Sequence, residues 1–153
     1  MAEWILLGHI FFATIWFGGH IYIEGLLASA RRAGDSSTMA ITASQVGKVS
    51  SRLFPIATIL TLVFGVWLIL LDSSPWEFSD VFVSIGFAVV ILGMGIGIFY
   101  LTPKDKQISE MLAANGPDNP ALLDLIGRVK MVNHVMTGLV VIALVAMVIK
   151  PGL

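Results

Sequence analysis

No cysteine occurs in the 153 residues, which excludes disulfides, thiolate metal sites and thiol nucleophiles together. That absence leaves the redox compartment undetermined. Charge is nearly as scarce. Asp, Glu, Lys and Arg make up 12% of the chain, about half of the ~25% usual in soluble domains. The formal net charge of −1 gives no electrostatic footprint for a nucleic acid. A basic leader and a small-residue cleavage site are missing ahead of the first apolar segment. That segment is also too long for a signal-peptide core, so it reads as a retained membrane span. Neither an internal repeat nor an extramembrane domain stands out.

What the chain does have is hydrocarbon: 57% of residues are hydrophobic and the mean hydropathy is +0.92. A spanning helix needs about 20 mostly apolar residues, and four segments qualify, at 4–30, 53–71, 81–101 and 131–149. "RRAGDSS" closes the first, a polar stretch at 72–80 (with Asp72, Glu77 and Asp80) separates the second from the third, and "TPKDK" ends the third. The expectation is an all-α integral membrane four-helix bundle, up-down-up-down, with residues 1–153 forming a single transmembrane domain in the lipid bilayer.

The basic residues sort by side. Arg31, Arg32, Lys48 and Arg52 fall in the first connection, and Lys104, Lys106, Arg128 and Lys130 in the third. The second connection has none, and only Lys150 opposes the pattern. The positive-inside rule then puts both termini outside an inner (cytoplasmic) membrane and the two longer connections in the cytoplasm. Those connections are expected to be partly helical. Asn119 before Pro120 is a helix start, with Pro at the first helical position. Asp35 or Ser36 can cap a helix leading into the second span, and "ANGPDNP" reads as a loop.

Three histidines and a glutamate interrupt the apolar runs. His9 and His20 are eleven residues apart, so they differ by roughly 20° around a helix and share a face, about 16 Å apart along it. Ala13 and Trp16 lie on the same stripe, and Glu24 follows one turn beyond His20. Lipid would leave such a stripe unsatisfied, so it should face the bundle interior. Taking span centres as the midplane, His20 and His134 fall about 6 Å and 9 Å to the cytoplasmic side, on antiparallel helices. His9 falls about 10 Å to the outer side, near the level of Met147.

Each feature has a plain reading and a sharper one. The histidines either bridge helices, with Thr58, Thr61 and Thr137 as acceptors, or ligate haem iron, for which neutral imidazole is a common axial ligand. Gly18, Gly19 and Gly138, and Gly93 with Gly97, either allow close helix packing or open a flat slot for a macrocycle. The pattern points to His20 and His134 as an axial pair holding a b-type haem, with His9 a further candidate. Glu24 reads best as a salt bridge to Arg31, Arg32 or Arg52. Arg52 could equally pair with a haem propionate. Trp4, Trp67 and Trp76 read as interface belt.

"LLGHIFFATIWFGG" followed by "SRLFPIATILTLVFGVWLIL" resembles a group of small four-helix bacterial membrane proteins. The group comprises the HemJ-type protoporphyrinogen oxidases, the copper resistance protein D family and an uncharacterised family of predicted integral membrane proteins. The shared residues are His9, then Trp16, Gly18 and Gly19, then Arg52 opening the second helix and Gly65 late within it. The terminal "AMVIKPG" looks most like the uncharacterised family. The resemblance implies haem b held by the first-helix histidine, His9. It also implies a third-helix lysine, which this chain lacks between residues 81 and 101, so porphyrinogen oxidation is the less favoured activity. Copper handling would call for Met and His arrays, and the seven Met are scattered. The leading expectation is a haem b electron carrier, alone or as a homo-oligomer or subunit of a larger redox complex with partner proteins. The alternatives are a HemJ-like oxidoreductase, a copper-handling protein and a structural membrane subunit.

Overall fold

A computed structural model describes residues 2–71 and 75–152, so Asp72 lies outside the described residues. The chain forms α1 (Ala2–Arg32), α2 (Ser36–Leu70), α3 (Val81–Ile96), a π-helical turn (Gly97–Leu101), α4 (Thr102–Asn115) and α5 (Pro120–Ile149). The third path is continuous from α3 through the π turn to α4. All four paths are long and apolar enough to cross a bilayer. α1 packs on α2 and α5, and α3 packs on α5, closing an up-down-up-down bundle.

Two helix starts follow from their side chains. Asp35 caps α2, accepting from the Ser37 and Thr38 amides and from the Thr38 hydroxyl, which satisfies amides a helix end leaves free. The Thr38 hydroxyl and the two amides together hold its carboxyl below the usual carboxylate range. Asn119 caps α5 through the Ala121 amide, with Pro120 at the first position as expected. The third span runs on without a break through "TPKDK" into the helix expected in the connection. Pro103 has no N–H to give the carbonyl of Phe99, and its ring crowds that carbonyl. The helix widens into a π turn instead, with the Thr102 amide and hydroxyl both donating to the Gly97 carbonyl.

The helices also run past the apolar spans at the end bearing the basic residues (the basic end). The first half of α2, α4 and the start of α5 pack there around Ala40, Ile108 and Leu122, all nearly inaccessible. The Ser44 and Ser109 hydroxyls lie 2.9 Å apart between α2 and α4. Ser36 donates to Asp118 in the loop before α5. At the opposite, terminal end, Lys150 sits 4.5 Å from the Trp76 ring centre, a cation–π contact at the edge of the bundle. Phe11, Ile56, Ile91 and Val148 face outward along the spans, as a lipid-facing surface requires.

Glycine sets how closely the helices approach. A methyl at Gly8 would meet Phe64, at Gly19 Phe54, at Gly47 Asp105, at Gly65 His9, at Gly86 Met147, and at Gly93 both Met136 and Trp16. Each of the six is therefore a notch filled by a side chain of a neighbouring helix. Gly18, Gly25, Gly127 and Gly138 have nothing within 4 Å of such a methyl.

Candidate functional site

His9 leans from α1 onto α2. Its Nδ1 lies 2.9 Å from the Thr61 carbonyl oxygen, so Nδ1 carries the proton and donates it. Its Cε1 would be 3.1 Å from a methyl at Gly65, so that glycine admits the ring. A hydrogen bond at one ring nitrogen leaves the other, here Nε2, as the lone-pair donor. Metal-ligating histidines are commonly oriented in this way. The acceptor is Thr61, one of the three threonines suggested from the sequence, through its backbone carbonyl. Thr61 and Thr137 turn their own hydroxyls back to the carbonyls of Ala57 and Asn133.

His20 lies one turn past Trp16 in the core, 2% exposed. Phe54 stacks on it with ring centres 4.4 Å apart, and Trp16 meets it edge-on at 6.3 Å. Its Nδ1 is sealed from solvent and has no hydrogen-bond partner among the described residues. A buried imidazole nitrogen left in this way costs about 1–3 kcal/mol. The ring sits at the floor of a cavity of about 60 Å³, whose mouth lies between α2 and the π turn. Pro55 of α2 and Gly97 of the π turn are on its walls, so both helix irregularities adjoin the opening.

His134 does not share that cavity. Its side chain is 81% exposed, and its Nδ1 lies 3.6 Å from Glu24 Oε2 on the outer side of the α1–α5 pair. The residue turned inward is its neighbour Asn133, which is buried and lines the cavity. The expected His20–His134 axial pair is therefore corrected: one imidazole is enclosed and the other faces out. The slot expected beside them is also absent. Phe54 fills Gly19, Trp16 and Met136 fill Gly93, and Gly18 and Gly138 are open to the outside. At His20 a donor is present without room for a macrocycle.

The remaining candidates are dispersed. Glu24 pairs with His134, where the sequence suggested an arginine, and its Oε1 is sealed without a partner among the described residues. Arg52 is exposed and does not line the cavity. Trp16 is buried between His20 and Gly93. Met147 packs toward Gly86, with Phe82 and Val83 in the same cluster, and so is engaged away from His9. Among the described residues no three of His, Asp and Glu gather as a metal site. A bare-ion site of those donors is not assembled among the described residues.

Residues 3–151 match the family described as "Predicted integral membrane protein (DUF2269)", and the chain belongs to that family. No curated protein matches it, and no solved structure does.

Proposed function

We propose that this member of the family is a membrane-embedded b-type haem protein that passes electrons, alone or as a subunit of a redox complex, with His9 as an axial ligand. The observation that carries the reading is the hydrogen bond from His9 Nδ1 to the Thr61 carbonyl, which fixes the tautomer and frees Nε2 for iron. His9 and Gly65, two residues of the HemJ-type pattern far apart in sequence, also touch. Bound haem supplies a one-electron couple in an apolar medium. The Thr61 carbonyl holds the imidazole in one orientation, while the apolar α1–α2 contact limits water. Met147 is engaged at Gly86, so a residue of a neighbouring subunit would supply any further ligand to the iron.

The HemJ-like enzymatic reading is less well supported. The lysines nearest to the third span, Lys104 and Lys106, are on α4 at the basic end, whereas His9 is near the terminal end. A visible spectrum of the purified protein with a haem-to-protein ratio tests the haem reading. A Soret band with split α and β bands on reduction is the expected result, and a colourless protein from haem-replete cells rejects it.

The basic end is assigned to the cytoplasm and the termini to the outer side of the inner membrane. Eight of the nine Lys and Arg residues belong to the first and third connections, the side that positive charge retains. A C-terminal alkaline phosphatase fusion should be active and a C-terminal green fluorescent protein fusion dark. The reverse result overturns the orientation.

A further inference from the structure

The cavity over His20 is separate from His9, and its chemistry selects a different ligand. Its walls are mostly apolar and aromatic, with Trp16 and Phe54 beside the imidazole. None of the described residues lining it is Lys or Arg, and its one charged group is Asp105 toward the basic end. Anionic headgroups, fatty-acid carboxylates and phosphates therefore find no counter-charge. The groups that can meet a ligand are neutral: the unpartnered His20 imidazole, the buried Thr58 and the Asn133 amide. The mouth lies between two membrane-crossing helices, α2 and the third path, so entry is from the bilayer. The enclosed space is about 60 Å³, less than a six-membered ring fills, so a ring enters only as Phe54 swings off the His20 imidazole and uncovers it.

We infer that this cavity binds a neutral, lipid-soluble ring bearing carbonyl or phenol oxygens, a quinone-class molecule, hydrogen-bonded by His20. A carbonyl oxygen accepts from the imidazole N–H, which removes the penalty of a nitrogen buried without a partner. The ring packs against Trp16 and Phe54 by offset or edge contacts. The isoprenoid or alkyl tail leaves through the mouth between Pro55 and Gly97 into lipid. Phe54, seated in the notch of Gly19, is the side chain that must shift to admit the ring. The inference extends the electron-carrying reading by naming a redox partner class, but it stands on His20 and not on His9.

The test uses decylubiquinone and the whole protein in lipid nanodiscs. With Trp4, Trp67 and Trp76 replaced by Phe, Trp16 becomes the sole reporter. Its fluorescence should be quenched saturably, and His20→Leu should weaken the apparent affinity about tenfold, the worth of one buried hydrogen bond. In unmodified protein, an azido-substituted ubiquinone analogue should label residues 50–59 and 93–102, and decylubiquinone should compete that labelling away. This second measurement needs no variant to fold. Quenching that rises linearly without saturation, unaltered affinity in His20→Leu, or labelling spread over the lipid-facing surface and not competed would each overturn the inference. Saturable binding retained in His9→Ala separates this site from the haem reading, so either can fail alone.

Discussion

Replacing His9 by alanine should strip haem from the protein while leaving its helices in the membrane. The His9 ring contributes a single hydrogen bond, to the Thr61 carbonyl, and sits over a glycine, so its loss opens a small gap in the α1–α2 contact without breaking a network. Loss of a ligand's hydrogen-bond partner alone typically lowers metal affinity roughly 10–100-fold. Loss of the ligand should cost more, and the haem-to-protein ratio should fall by at least about tenfold on that scale. Gly65→Ala should give an intermediate ratio, because its methyl would stand 3.1 Å from His9 Cε1 and tilt the ring from its acceptor. His134→Ala should leave the ratio unchanged, since that ring is outside the bundle interior. Haem kept in His9→Ala but lost in His20→Leu would move the ligand to His20 and end the assignment to His9.

Gly47→Ala should be the most damaging of the glycine-to-alanine changes to the packing at the basic end. A methyl there would be 2.7 Å from Asp105 Cβ and 2.8 Å from its Cγ. Cβ is fixed to the α4 backbone and no rotamer moves it away, so α2 and α4 must separate. Overpacking of this kind costs about 1–3 kcal/mol. Gly18→Ala and Gly138→Ala meet nothing within 4 Å. They should be neutral or slightly stabilising, because alanine is favoured over glycine in a helix by about 1 kcal/mol. Thermal unfolding in one detergent compares the three directly. Equal midpoints would show that the α2–α4 approach is not set by Gly47.

The sequence carried the architecture and part of the site, and the division between the two is one of phase. Span positions follow from hydropathy, and the α2 and α5 starts follow from Asp35 and from Asn119–Pro120, because those signals are local. The His20–His134 pairing rested on depth along the axis, which says nothing about direction around it. Asn133 and His134 are about 100° apart on α5, so only one of them can face inward. Val129, Met136 and Val140 are all buried, and they lie four residues before and three and seven after Asn133. That apolar phase was legible and would have selected Asn133. The glycines were legible as close-packing residues, but which side chain fills each notch depends on the partner helix. Asp105 on the cavity wall was hidden for another reason: "TPKDK" looked like the end of a span, and nothing local signalled that a π turn would carry the helix through Pro103.

The mouth between α2 and the π turn changes what concentration means for any occupant of the cavity. A molecule arriving there is drawn from a two-dimensional reservoir, and its supply is its mole fraction in the bilayer. Partitioning has already removed most of its apolar surface from water before it meets the protein. Transfer from lipid to an apolar wall then gains little, so discrimination among lipid-soluble molecules falls to the few polar groups at the floor. A His20 variant should therefore alter which molecules are retained more than how much lipid-soluble material the cavity admits.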